Sequence, residues 1–224
     1  MKFHKELYTA RDESFEIESP EVFVESILSN ITINESQDGK CHVKILADSK
    51  KALEEAEFVE ISAEVGELNV RFYKKGHKFW GINSDSLSGL SAEIALPGSS
   101  NVKIKTVSGN IEVNQALANL QIKSISGDVL ISQNPATTCI VKTVAGNIVT
   151  HTFSACDYTL KSISGDIKVH VAPDLDVDVD GNSVSGELSS EIALDGVNDS
   201  STSSSRVVRI TTSTISGNFN LARN

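Results

Sequence analysis

Four stretches between Asn101 and His170 repeat one pattern: VKIKTVSGNIEV, LQIKSISGDVLI, CIVKTVAGNIVT and YTLKSISGDIKV. Their central glycines, Gly109, Gly127, Gly146 and Gly165, follow one another at 18, 19 and 19 residues, and further copies surround Gly186 and Gly217. A period of this length marks a chain that coils and stacks on itself. Counted from the glycine, apolar residues recur seven before (Val102, Leu120, Cys139, Tyr158) and five before (Ile104, Ile122, Val141, Leu160). They recur again two before (Val107, Ile125, Val144, Ile163), two after (Ile111, Val129, Ile148, Ile167) and four after (Val113, Ile131, Thr150, Val169). Alternation of period two, rich in β-branched residues, predicts strands. Between the strands stands a Ser-Gly-Asn/Asp corner, with Ala145 replacing serine once. Glycine there permits a positive φ or a close backbone approach, and Asn or Asp can accept turn amides.

The expected fold is all-β, a β-solenoid of coils about 19 residues long, stacked about 4.8 Å apart and hydrogen-bonded to one another. An antiparallel β-sandwich of regular hairpins is the alternative. All five apolar columns are assigned inward, so Ile125→Ala is expected to cost about 2–5 kcal/mol. Thr106, Ser124, Thr143 and Ser162 are assigned outward.

Residues 1–84 read as an irregular, β-rich part, and 85–224 as the repeat part continuous with it. The first part begins with edge strands around Ser19-Pro20. Ser26–Ile33 follows as a degenerate copy with Ser29 in the glycine position. Strands are expected over Cys41–Leu46, Phe58–Ala63 and Leu68–Tyr73, and a short helix over Lys50–Glu57 with Asp48 as its cap. Lys74–Gly81 reads as a surface loop whose Phe79 and Trp80 are candidates to cover an end or meet a partner. A longer duplication is superimposed: DSLSGLSAEIAL from Asp85 and NSVSGELSSEIAL from Asn182 align closely, with an insertion at Glu187. The run Asp195–Ser205 reads as a mobile loop. Stack ends expose strand edges, and the N-terminal part and the C-terminal strand are expected to cap them.

Net charge is -10, from 30 acidic and 20 basic residues. That balance argues against a general nucleic-acid or anionic-membrane binder, and aromatics are too few for a base-stacking surface. No secretory signal opens the sequence and no apolar run is long enough to span a bilayer, so a cytoplasmic location without membrane insertion is expected. Cys41, Cys139 and Cys156 are expected to be unpaired, buried thiols.

Asp176, Asp178, Asp180, Gly181 and Glu187 fit the spacing of an EF-hand calcium loop. Yet Val177 and Val179 alternate as in a strand, Ala172-Pro173 is no incoming helix, and Glu187 occupies the corner position of the repeat. The acidic run therefore reads as an outward strand face, with a non-helical calcium site as the minor alternative. Lys105, Lys123, Lys142 and Lys161 recur four before the glycine and would form a basic row if coils stack in register. Such a row suits an anionic polymer, a glycan or a protein partner.

The serine column has no paired base. The five histidines lack metalloprotease spacing, and no phosphate loop or dinucleotide motif is present. Asp128 and Asp166, two coils or about 9.6 Å apart, slightly exceed the inverting-glycosidase separation. No enzyme and no cofactor are expected.

With corners such as TVSGNIEV, SISGDV and SISGDI, residues 86–221 resemble a bacterial putative-adhesin family of unknown function. Its units repeat Ser/Thr, Val/Ile, Ser, Gly, Asp/Asn, Ile/Val. The resemblance implies a right-handed β-solenoid-like stack and a likeness to surface-protein heads, and transfers no catalytic residues. The function expected is a non-enzymatic, adhesin-like protein-interaction or scaffold module, with homo-oligomerisation through an end or face of the stack. A calcium- or glycan-binding adhesin-like domain is the first alternative, and a glycan-acting enzyme the second.

Overall fold

A computed structural model of the chain describes residues 7–72, 87–192 and 206–224. The chain opens with β1 (Tyr8–Phe15), β2 (Glu21–Ser26), β3 (Asn30–Glu35) and β4 (Cys41–Ala47). A short helix α1 (Lys50–Glu55) precedes β5 (Glu60–Glu64), β6 (Glu67–Phe72) and β7 (Leu90–Leu96). Strands then come in pairs joined by a glycine corner. The first are β8 (Asn101–Ser108) with β9 (Ile111–Val113), and β10 (Asn119–Ser126) with β11 (Val129–Ile131). Next come β12 (Thr138–Ala145) with β13 (Ile148–Thr152), and β14 (Asp157–Ser164) with β15 (Ile167–Val171). The last are β16 (Asp176–Ser183) with β17 (Leu188–Ser190), and β18 (Val207–Thr214) with β19 (Phe219–Arg223).

The result is an all-β domain of two mixed sheets enclosing one hydrophobic cluster. Each corner passes the chain from a nine-stranded sheet to a ten-stranded one, and each such strand pair is called a tier below. Neighbouring tiers pair in parallel and in repeat register: Ile104 lies opposite Ile122, Ile122 opposite Val141, and Val141 opposite Leu160. Antiparallel pairing among the described residues is confined to β1–β4, β4–β7 and β5–β6. The degenerate copy takes its place in the same register, with Ser26 opposite Thr106 and Ile31 opposite Ile111.

Inside, the columns seven and five before the glycine and two and four after it are buried. The column two before is not. Val144, Ile163 and Ile215 are 42%, 46% and 50% exposed, and Val184 78%. The buried column is instead Ser26, Thr106, Ser124, Thr143, Ser162 and Thr214, three before the corner. Strict strand alternation runs on unbroken from seven to three before the glycine, so position two before faces outward. At Ser26, Ser124 and Thr214 the buried hydroxyl ties down the corner, whereas those of Thr106, Thr143 and Ser162 have no hydrogen-bond partner among the described residues. Ser26 Oγ accepts from the Ser29 amide at 2.9 Å, and Thr214 Oγ1 donates to the Gly217 carbonyl at 2.8 Å.

Three further expectations are corrected. The strand β2 is no edge, since it lies between β6 and β8 in the nine-stranded sheet. Nor do β18 and β19 cap the stack. They fill the level between β14/β15 and β16/β17, which makes β16 and β17 the outermost strands at that end. The helix α1 is capped by Ser49, whose side chain accepts from the Ala52 amide, rather than by Asp48.

Candidate functional site

Outward-facing residues of the nine-stranded sheet form straight rows, because every tier contributes the same strand position. The row four before the corner runs Glu25, Lys105, Lys123, Lys142, Lys161 and Ser213. Charges at its start are neutralised internally. Lys105 reaches Glu25 at 3.1 Å, Lys103 reaches Glu21 at 3.4 Å, and Arg71 lies between Glu25 and Glu60 at 3.7 and 3.8 Å. Among the described residues, Lys123, Lys142 and Lys161 have no carboxylate within salt-bridge distance, and all three are exposed. Two shallow depressions lie on the same face, lined by Phe23, Lys103, Lys105, Gln121 and Lys123 and by Asn119, Thr138 and Ile140. Lys103 Nζ sits 5.0 Å above the Phe23 ring there.

Beside the lysines, two residues along each strand, runs the outward aliphatic row of Ile27, Val107, Ile125, Val144, Ile163 and Ile215, with Val184 at the end; the first three are half-buried and the others exposed. Pairing of the adjacent serine positions and the bonds from the Ser108 amide to the Ile27 carbonyl and from the Ser216 amide to the Ile163 carbonyl keep this row in line. Its residues were visible in the sequence but assigned to the core. The signal that would have placed them outside is the unbroken alternation described above.

The corner itself is a ladder of side-chain-to-backbone bonds. Asn30 Oδ1 accepts from the Asn110 amide, and the series continues through Asn110, Asp128, Asn147, Asp166 and Asn218 to the Glu187 amide, each bond 2.8 to 3.0 Å. Glu187 therefore serves as the last rung of this ladder. Asp176, Asp178 and Asp180 share the outward face of β16, the edge strand, opposite Val207, Arg209 and Thr211. Alternate strand residues stand about 6.8 Å apart, so the three carboxylates form a line rather than a cage. No group of three or more His, Cys, Asp or Glu among the described residues is placed to hold a metal. Phe79 and Trp80 lie outside the described residues.

Burial holds the three cysteines and Tyr158 in their protonated forms. Cys41, Cys139 and Cys156 are buried free thiols; burial pushes Cys41 up to about 11 and Cys156 up to about 12, and raises Cys139 as well. A thiol so raised is inert at neutral pH. Tyr158, also raised by burial, has its hydroxyl bonded to Thr152 at 2.8 Å inside the core. On the outer face of the other sheet, His151 and His170 stack at 4.7 Å between ring centroids, and His151 Nδ1 meets Asn224 Oδ1 at 3.0 Å.

Parallel tiers, a glycine-cornered edge and ordered rows of outward side chains define an all-β domain of two sheets joined tier by tier. The chain belongs to the Toastrack DUF4097 family, whose model matches residues 20–169 and, in an overlapping alignment, 57–222. No curated protein matches the chain significantly. Among solved structures it resembles a putative cell adhesion protein from Clostridium sporogenes, at 13% identity and TM-score 0.56, covering 96% of this chain and 99% of that one. It also resembles a putative adhesin from Bacteroides fragilis, at 11% identity and TM-score 0.53, with 98% of each chain covered. The expectation of a cytoplasmic location is corrected by these similar structures, a putative cell adhesion protein and a putative adhesin. Among the described residues no helix is long and apolar enough to cross a membrane.

Proposed function

We propose that this chain is a non-enzymatic, adhesin-like binding domain in which successive glycine-cornered tiers wind as a β-solenoid. The outer face of its nine-stranded sheet takes an extended anionic ligand. The observation that carries this reading is the in-register row of Lys123, Lys142 and Lys161, exposed and without carboxylate partners among the described residues. In a chain of net charge -10, such a row is a local departure from the overall sign. Lysines repeating at about 4.8 Å match an anionic chain with one charge per repeat of similar length. The family and the two adhesin-like structures support a binding role for the fold.

Binding of polyglutamate and polygalacturonate, followed by fluorescence anisotropy at low and high salt, tests the reading. The wild type should bind both, less tightly as salt rises, and Lys123→Glu/Lys142→Glu/Lys161→Glu should lose about tenfold or more in affinity. Binding by the triple variant equal to that of the wild type removes this face from the function.

A further inference from the structure

An anionic polymer would use only the lysine row, yet the aliphatic row beside it is equally regular. Seven tiers carry Ile or Val at the same outward position, and from β12 to β16 these side chains are 42% to 78% exposed. Scattered exposed aliphatics are ordinary on a protein surface, whereas a contiguous line of them marks an interaction site. The two rows lie about 6.6 Å apart along each strand, and both advance by about 4.8 Å per tier. We infer that the occupant of this face is an acidic amphipathic helix of a partner protein, laid along the stacking direction with its carboxylates on Lys123, Lys142 and Lys161 and its apolar flank on Ile125, Val144, Ile163 and Ile215. This rests on the binding face proposed above and names its partner.

The geometry favours a helix for three reasons. A helix rises about 5.4 Å per turn, so one acidic and one apolar residue per turn keep pace with the tiers. The mismatch of about 0.6 Å per tier accumulates to about 2 Å over four tiers, within the reach of a lysine side chain. An acidic glycan supplies charges at a comparable pitch but gives the aliphatic row nothing to bury. An anionic bilayer is disfavoured by the net charge of -10. On the far side of the aliphatic row stand Asp128 and Asp166, exposed at the corner, so a helix with carboxylates on both flanks would be repelled and only one orientation fits.

The test uses the full chain and a helical peptide of about 18 residues, long enough for five turns. The peptide carries glutamates along one flank and leucines along the next. A second peptide with serine for leucine, and polyglutamate, serve as controls. The protein variants are the lysine charge reversal and Val144→Thr/Ile163→Thr/Ile215→Thr, which keeps β-branched side chains in the strands; circular dichroism and melting confirm folding of both. The amphipathic peptide should bind about tenfold more tightly than its serine counterpart and lose about that factor to either variant. Polyglutamate should respond to the lysine variant alone. If the amphipathic peptide gains nothing over the serine peptide, or ignores the threonine variant, the helix inference fails while lysine-dependent polyglutamate binding preserves the proposed function. If no probe responds to the lysine variant, both fall.

Discussion

At Gly127 the carbonyl of Gly109 lies 2.3 Å from where a Cβ would stand, and φ is +124°. The same close approach recurs up the corner column, from Gly146 over Gly127 to Gly186 over Gly217. Backbone stacks directly on backbone, and a methyl group cannot be accommodated by moving a side chain. Gly127→Ala should therefore destabilise the fold by about 3 kcal/mol or more. Gly39, at φ +74° in an open turn with nothing within 4 Å of its would-be Cβ, should lose only about 1 kcal/mol on the same change. Chemical denaturation of the two variants compares them directly. The alternation argument gives a second residue-scale contrast. Ile122→Ala, in the core, should cost about 2–5 kcal/mol, and Ile125→Ala, on the outer face, less than about 1 kcal/mol. A larger loss at Ile125 than at Ile122 would contradict the assignment of the columns.

Among the elements, the corner ladder joins neighbouring tiers, and strands β16 and β15 each make a prediction. Asn147 accepts from the Asp166 amide and donates to Asp128 Oδ1, so it links the tier before it to the tier after it. The Asp row of β16 is a line along one strand beside Arg209, not a converging set. Calorimetric titration with millimolar calcium should give no binding heat, and a saturable signal abolished by Asp178→Asn would reverse that conclusion. The stacked histidines make β15 sensitive to acid. Burial, then the neighbouring His151 and Lys168, lower the pKa of His170, while Glu191 and the Arg223 backbone oppose the shift. With the folded value below the unfolded value of about 6.5, the unfolded state binds more protons in the window between them. Stability is thus complete above about 6.5 and falls as pH drops through that window. Melting temperature should decline from pH 7.5 towards pH 5.5 in the wild type, and less so in His170→Gln.

Across the whole molecule, spatial order departs from chain order at both ends. The chain places β2/β3 first and then goes outward to β7 before returning to β8/β9; at the other end it places β16/β17 outermost before returning with β18/β19. The long duplication, DSLSGLSAEIAL and NSVSGELSSEIAL, contributes β7, just outside β3, at one end and β17, just outside β19, at the other. Deleting residues 206–224 removes the strands that pair with β16 and β17 in both sheets. Limited proteolysis of the shortened chain should cut first within 176–190, a region the intact chain protects.

The repeat, its period, the glycine corner and four of the five apolar columns were legible in the sequence, because each rests on local rules: alternation in a strand and the small volume of glycine. The lysine row was legible as well, since a fixed position in a repeat becomes a row once tiers pair in register. The fifth column was misread because hydrophobicity favoured Ile125 over Ser124, whereas corner geometry puts the hydroxyl inside and the aliphatic side chain out. Only the tertiary structure decided the order of the terminal tiers and which lysines find a carboxylate among the described residues, because Glu25 and Lys105 are 80 residues apart in the chain. Pairing across that distance depends on which strands come to lie side by side, and strands sharing one pattern compete for the same neighbours until the complete stack selects among them.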